Sequence, residues 1–137
     1  MTMNEVQLLA LADKARENAY APYSGFKVGA ALLDTSGNVW SGCNIENASF
    51  GVTNCAERTA LFKAVSKGQR SFSAIAIVGH KDGEPEKLCA PCGVCRQALS
   101  EFCGPEMRII MRDSDGSTVV RRLGSLLPET FSLENKQ

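Results

Sequence analysis

The strongest constraint on the fold is a short apolar run in the middle of the chain. Residues 72–78 read Phe-Ser-Ala-Ile-Ala-Ile-Val, a composition typical of a β-strand that is covered on both faces. A strand of this kind needs other elements packed above and below its sheet. The run therefore predicts a sheet with helices on both faces.

Three segments have the pattern of helices. In residues 4–20 the apolar positions recur every three or four residues, as on an amphipathic helix: Val6, Leu8, Leu9, Leu11, Ala12, Ala15 and Ala19. A second helix begins at Cys55 and ends near Lys67-Gly68, a cation followed by a glycine. Residues 92–102 predict a third helix, and the tail around Leu126 predicts a short one.

Four further segments predict strands, at residues 26–33, 39–43, 107–111 and 118–120. The first two flank the polar turn 34–38, so we expect them to pair as a hairpin. Residues 44–54 and 80–87 are polar and predict loops. Since helices separate the later strands, we expect those strands to pair in parallel.

The predicted fold class is α/β, a three-layer α/β/α arrangement with a mixed sheet of roughly five strands. A chain of 137 residues is about the length of one ordinary domain, so we expect residues 1–137 to form a single unit. We expect it to be cytoplasmic, because no basic segment leads into an apolar stretch near its start. No later run approaches the ~18 apolar residues of a membrane span, so no membrane partner is expected.

The charge balance argues against a polymeric nucleic acid partner. Fifteen Lys and Arg residues stand against fifteen Asp and Glu residues, so the formal net charge is zero. A protein with no net positive charge has no overall field that draws it to a phosphate backbone. We therefore expect a small-molecule substrate.

Six cysteines in a short chain have two interpretations. In a small secreted protein they would form disulfides, whereas in a cytoplasmic protein with a sizeable core they are more often metal ligands or catalytic groups. Cys92 and Cys95 lie on one face near the start of a predicted helix, and Cys55 opens another. Helix N-termini favour thiolates, so these three cysteines predict a tetrahedral zinc site, one ion per chain, with its fourth position open to water.

Two charged residues follow Cys55 directly. Glu57 projects from the same first helical turn, where it can collect a proton from water and pass it to a leaving nitrogen, so we predict it as the catalytic group. Three thiolates leave a divalent ion with a net charge near minus one, which weakens it as a Lewis acid. We predict that Arg58 offsets this charge by hydrogen bonding the sulfurs.

A cysteine or histidine before Glu, followed later by P-C-x-x-C, is the known signature of zinc nucleobase deaminases. Four segments extend the likeness: FKVGAAL from Phe26, GCNIENA from Gly42, CAERTA from Cys55 and PCGVCRQ from Pro91. In order and spacing they resemble the small, homotetrameric class of cytidine deaminases. The resemblance covers about residues 12–131.

This resemblance implies hydrolytic deamination of cytidine and 2'-deoxycytidine to uridine and 2'-deoxyuridine, with release of ammonia, in pyrimidine salvage. It implies that Asn44 and Glu46 bind the ribose hydroxyls and that Phe26 lines the pocket beside the pyrimidine. The main chain of Ala56 would contact the base, and Glu57 would also bond the ring nitrogen.

The resemblance also implies a homotetramer whose subunits share their pockets. Phe131 matches a C-terminal aromatic that reaches into a neighbouring subunit and stacks on the base. Phe50 lies where the family has an aromatic near the shared pocket.

Cys89 departs from the pattern, because it creates a second C-x-x-C that overlaps the first. Spacing alone allows either pair to hold metal. Helix geometry favours Cys92 and Cys95, since Pro91 separates Cys89 from the helix, and we expect Cys89 to be a bystander. Cys43 and Cys103 are interpreted as small buried hydrophobic residues.

Other interpretations stay open at this stage. A closed structural zinc site would take Cys89 or His80 as a fourth ligand and make the chain a non-enzymatic interaction module. A thioredoxin-like redox role would use C-x-x-C but leave Cys55 and Glu57 without a part. Among enzymes, a polynucleotide-editing deaminase would be expected to carry a basic groove for a single strand, which this neutral chain does not indicate. A deoxycytidylate deaminase would need a phosphate-binding cluster, and the sequence does not indicate one. A blasticidin S deaminase has a similar length and zinc motif, and residues 112–116 and 126–128 resemble it too.

Overall fold

The computed structural model describes residues 3–133, so the ends of the predicted domain, residues 1–2 and 134–137, lie outside the described residues. The elements follow the predicted order: α1 (Glu5–Arg16), β1 (Phe26–Asp34), β2 (Val39–Cys43), α2 (Ala56–Ser66), β3 (Phe72–Lys81), α3 (Gly93–Ser100), β4 (Arg108–Arg112), β5 (Thr118–Arg122) and α4 (Leu123–Leu126).

The five strands form one mixed sheet in the order β2-β1-β3-β4-β5. The hairpin of β1 and β2 is antiparallel, as predicted, and β3 and β4 pair in parallel, as predicted for strands separated by a helix. The pairing of β1 with β3 is antiparallel and extends from Phe26 opposite Lys81 to Asp34 opposite Phe72. The α/β prediction with a mixed five-stranded sheet is confirmed.

Two predicted boundaries were wrong. The first helix ends at Arg16 instead of near Tyr20, because the Tyr20 main chain pairs with the loop after β2: its N–H donates to the Asn44 carbonyl (3.0 Å) and its carbonyl accepts from Glu46 N–H (2.8 Å). The strand β3 continues to Lys81, so residues 80–81 are not loop. Their main chain pairs with Phe26 and Lys27 at the start of β1. The polar and charged side chains of this segment give no sign of that pairing.

The core lies on both faces of the sheet, because alternate side chains of each strand point to opposite sides. One face packs against α1 through Leu8, Leu9, Ala12, Ala31, Leu33, Ala74, Ala76, Val78 and Ile110. The other face packs against α2, α3 and α4, and its buried residues include Ala30, Leu32, Ala60, Leu61, Ile75, Ile77, Leu99, Ile109 and Met111. This division gives the three predicted layers.

Two glycines allow the helices to approach the sheet closely. A Cβ atom at Gly29 would lie 2.0 Å from the Ala12 carbonyl oxygen of α1, and one at Gly42 would lie 2.5 Å from the Ala56 carbonyl oxygen of α2. Both distances are far inside van der Waals contact, so any larger residue would push the helix away. Along residues 3–133, none of the helices combines the length and apolar character needed to cross a bilayer.

Candidate active site and metal centre

The predicted zinc ligands lie at the N-termini of two helices on the same face of the sheet. Cys55 is the N-cap of α2, Cys92 is the N-cap of α3, and Cys95 follows in the first turn of α3. The N–H groups of a first helical turn have no partner within the helix, and their positive ends favour thiolates. The fold therefore brings together the three cysteines that the sequence singled out.

The distances between the sulfurs suit a zinc ion. Sγ of Cys92 lies 3.4 Å from Sγ of Cys95 and 3.8 Å from Sγ of Cys55, and all three sulfurs lie within 4.8 Å of one another. Sulfurs bound to zinc at about 2.3 Å in a tetrahedral arrangement lie roughly 3.8 Å apart. The donor set and its spacing thus fit one zinc ion per chain with three protein ligands.

The pKa values of the thiols in the cluster are shifted in opposite directions. Hydrogen bonds from Cys95 and Arg58 lower the pKa of Cys55 to about 5, although burial opposes the change. The hydrogen bond to Cys55, together with burial, raises the pKa of Cys95. A thiolate at Cys55 beside a thiol at Cys95 means that metal binding must release a proton from this cluster.

Glu57 lies two residues after Cys55 and is almost completely buried, with 5% of its surface exposed. Burial, reinforced by the negative charge of Cys55, raises the pKa of Glu57 to about 7. A carboxyl group is seldom buried at a helix start unless it has a specific task. Its place beside three thiols makes it the group best placed to handle protons at this site.

Arg58 contacts the thiol cluster at the sulfur of Cys55. Its Nη2 donates a hydrogen bond to Sγ of Cys55 across 3.3 Å, and the neighbouring thiols raise the pKa of the guanidinium. Its Nε is buried and has no hydrogen-bond partner among residues 3–133. A fixed positive charge therefore lies against the thiol cluster.

Neither residue considered as a fourth ligand belongs to the cluster. The ring Nδ1 of His80 lies 2.9 Å from the carbonyl oxygen of Lys81, on the strand β3. Cys89 packs beside Phe26 over Gly79, where a Cβ atom would lie 2.9 Å from Sγ of Cys89 and 2.9 Å from Cε1 of Phe26. Burial raises the pKa of Cys89 to about 12, which keeps it a neutral thiol. All six cysteines are free, which excludes the disulfide interpretation.

The two predicted sugar-binding residues are built into hydrogen bonds around the start of β1. Oδ1 of Asn44 accepts from Val28 N–H at 2.9 Å, and its Nδ2 donates to the Phe26 carbonyl at 2.8 Å. Oε1 of Glu46 accepts from the N–H groups of Tyr23 and Ser24. The sequence pattern did not reveal these contacts, since the bonded residues lie 16 to 23 positions apart in the chain.

The remaining predicted site residues differ in exposure. Ala56 is fully buried beneath the cluster, and Phe26 is half-buried at the start of β1. Phe50 and Phe131 are 87% and 67% exposed, so neither is a core aromatic. Phe50 and Glu46 line the same surface depression, together with Tyr23, Asn47 and Thr53.

Two residues that the sequence analysis did not single out connect the start of α3, which carries Cys92 and Cys95, to the C-terminal segment after β5. Arg96 donates from Nε to the Pro91 carbonyl at 2.7 Å and from Nη1 to the Leu126 carbonyl at 2.8 Å. Gln97 donates to the Phe131 carbonyl at 3.1 Å. Both follow Cys95 directly, and their position after the C-x-x-C motif was the signal available.

Comparisons with known proteins agree with this geometry. Residues 3–111 match the family model described as the cytidine and deoxycytidylate deaminase zinc-binding region. A cytidine deaminase from Sporosarcina psychrophila is 48% identical over 133 residues, which cover 97% of this chain and 95% of the relative. A crystal structure of cytidine deaminase from Burkholderia pseudomallei superposes with a TM-score of 0.86 at 48% identity, covering 94% of this chain and all of that one.

Similarity to the competing relative is weaker. A blasticidin-S deaminase from Bacillus cereus is 32% identical over 132 residues, covering 92% of this chain and 93% of that protein.

Proposed function

Since the chain belongs to the cytidine and deoxycytidylate deaminase family, we propose that it hydrolyses the exocyclic amine of free cytidine and 2'-deoxycytidine, giving uridine and 2'-deoxyuridine. One observation carries this proposal: three cysteine sulfurs within 4.8 Å of one another lie beside Glu57, a buried carboxyl group two residues from Cys55. A closed structural zinc site would need neither an open position nor a buried acid.

Cys55, Cys92 and Cys95 would hold the zinc ion, and Arg58 would balance their negative charge. Zinc bound by three protein ligands acts as a Lewis acid and makes water available as a nucleophile near neutral pH. Proton transfer and binding of the nucleoside are carried out by the chain's own residues.

Glu57 is the proton carrier in this proposal. Water supplies the oxygen for a new C4–O bond, the C4–N bond breaks, and the amine leaves as ammonia. Glu57 takes a proton from the attacking water and passes it to the ring nitrogen. It then passes the second proton of that water to the amine, which departs as ammonia. Its burial supports this role, because a carboxyl group shielded from bulk water exchanges protons with the substrate rather than with solvent.

Phe26, the main chain of Ala56, Asn44 and Glu46 form the proposed nucleoside pocket. Phe26 lines it beside the base, and Asn44 and Glu46, from the loop after β2, face the sugar. A free nucleoside suits this chain better than a polynucleotide, because the formal net charge is zero.

We also propose that the active form is a homotetramer with pockets shared between subunits. Cys92 is exposed, and so are large apolar side chains beside it (Val94), in the loop that carries Glu46 (Ile45, Phe50 and Val52), in the turn before β1 (Tyr23) and in the tail (Phe131). Apolar surface of this kind is typical of an interface. A neighbouring subunit would cover the zinc ligands and place its own Phe131 against the base. Sedimentation of the purified protein tests whether it is a tetramer.

The proposed setting is pyrimidine salvage in the cytoplasm, with residues 1–137 acting as one domain. Six free cysteines support a reducing compartment, where thiols persist.

The decisive experiment follows the loss of cytidine absorbance with purified protein, with and without a chelator. Wild type should be active and lose activity with its zinc. Glu57→Gln should keep its zinc and lose about a thousandfold or more in kcat, while the control Glu84→Gln, at an exposed loop position, stays fully active. Blasticidin S is assayed in parallel. An inactive wild type that retains zinc, or activity on blasticidin S alone, would overturn the proposal.

A further inference from the structure

Ser24 lies between two residues of the proposed nucleoside pocket. It is the last residue of a turn that precedes β1, two positions before Phe26. Its Oγ accepts a hydrogen bond from Phe26 N–H at 3.0 Å and donates one to Oε2 of Glu46. The motif FKVGAAL begins at Phe26, after Ser24, and so assigns Ser24 no role.

The direction of these hydrogen bonds is fixed by chemistry. A backbone N–H can only donate and an ionised carboxylate can only accept. The single proton of the Ser24 hydroxyl must therefore point at Glu46. That hydrogen bond also lowers the pKa of Glu46, which keeps the carboxylate ionised and able to accept.

Glu46 retains an acceptor position for a ligand. Oε1 of Glu46 accepts from Tyr23 N–H at 3.0 Å and from Ser24 N–H at 3.2 Å, and Oε2 accepts from the Ser24 hydroxyl. A carboxylate offers about four lone-pair positions, so one position on Oε2 has no hydrogen bond from residues 3–133. The hydrogen bond from the Ser24 hydroxyl holds Oε2 and so sets the direction of this remaining acceptor position.

We propose that Ser24 is a positioning residue that aims the free lone pair of Glu46 at a sugar hydroxyl of the nucleoside, and so sets how strongly the enzyme depends on the sugar. This inference rests on the proposed function. It adds to it a residue that acts on substrate affinity through Glu46 and touches no reacting atom.

Loss of the Ser24 hydroxyl should affect Glu46 far more than Phe26. Phe26 keeps two other restraints, the hydrogen bond from Asn44 Nδ2 to its carbonyl (2.8 Å) and its pairing with Lys81 of β3. Glu46 keeps its two N–H donors on Oε1, but Oε2, the oxygen with the remaining acceptor position, loses the side-chain donor that holds it. The base side of the pocket should therefore stay intact while the sugar side loosens.

The test compares cytidine with 2',3'-dideoxycytidine, which lacks both ring hydroxyls. Ser24→Ala should raise KM for cytidine about tenfold with kcat within about twofold, since one hydrogen bond to a charged group is lost. With the dideoxynucleoside, the kinetic constants of Ser24→Ala and wild type should agree. Ser24→Thr keeps the hydroxyl and should restore most of the affinity for cytidine. Ser36→Ala, at an exposed serine in the turn between β1 and β2, is the matched control and should behave as wild type.

The outcomes separate this inference from the proposed function. An active wild type with an unchanged Ser24→Ala, or an equal loss on both nucleosides, shows that Ser24 only supports the turn and overturns the inference alone. A zinc-loaded wild type that deaminates neither nucleoside overturns the proposed function, and the inference with it.

Discussion

Arg58 donates a hydrogen bond to the sulfur of Cys55 across 3.3 Å, within the first turn of the helix that also carries Glu57. The contact is local, since the two residues are three apart, but its effect is electrostatic. It places a permanent positive charge against three thiols that would otherwise leave a bound divalent ion with excess negative charge.

Arg58→Ala should weaken zinc affinity and turnover, each by about 10- to 100-fold, as is usual when a group that supports metal ligands is removed. Zinc content after dialysis against a graded chelator and kcat at saturating zinc measure the two effects. Arg121→Ala, at an exposed position on β5, is the control. Unchanged zinc content and turnover in Arg58→Ala would contradict the assigned role.

The overlapping C-x-x-C pairs make a matched comparison possible. Cys92→Ala should lose stoichiometric zinc and melt at a lower temperature, because metal binding and folding are coupled. Cys89→Ala should retain zinc, since the Cys89 thiol packs over Gly79 beside Phe26, outside the ligand cluster. Elemental analysis and thermal unfolding measure both variants. Zinc loss in Cys89→Ala with zinc retained in Cys92→Ala would reverse the ligand assignment.

The two glycines at the helix–sheet contacts predict separable effects. Gly42→Ala would place a methyl group 2.5 Å from the Ala56 carbonyl oxygen and push back the helix that carries Glu57. We expect a loss of about 2–3 kcal/mol in the free energy of unfolding and at least a tenfold fall in kcat/KM.

Gly29→Ala is the control for this change, because it displaces α1 on the opposite face of the sheet. It should destabilise the fold by a comparable amount while its folded fraction keeps a near-normal kcat. Equal catalytic losses in the two variants would show that the site does not depend on the Gly42 contact in particular.

Asp34 predicts a specific acid sensitivity. Although burial favours the neutral acid, hydrogen bonds from Trp40, Asn38, Gln69 and Ser36 lower its pKa from 3.8 to about 2. A pKa below the unfolded value means that the ionised group stabilises the fold above about pH 4. That contribution is lost as the pH falls from about 4 to about 2.

Asp34→Asn should therefore cost about 2–4 kcal/mol at neutral pH, because an amide cannot accept from all four donors. The difference in unfolding free energy between variant and wild type should shrink as the pH falls through the same window. Denaturant titrations at several pH values measure it. A difference that is constant between pH 5 and pH 2 would show that the Asp34 charge does not contribute.

Much of the fold was predictable because its signals are local. Apolar periodicity, turn residues and the run at 72–78 predicted the order of helices and strands, and the hairpin of β1 and β2 is as expected. The end of α1 was not predictable, because the Tyr20 main chain pairs with residues about 25 positions later. Asp34, interpreted as the start of a turn, is in fact a buried acceptor for Gln69, a partner 35 residues away.

The sequence by itself determined the chemistry of the site, because ligand type, spacing and the helix starts at Cys55 and Cys92 are short-range properties of the chain. The tertiary structure decided which groups meet: Cys89 packs beside Phe26 instead of joining the thiol cluster, Ser24 holds Glu46, and Ser24 and Asn44 both bond the Phe26 main chain. Those contacts depend on strand pairing and burial, in which distant segments compete for the same space, and no local pattern records the outcome of that competition.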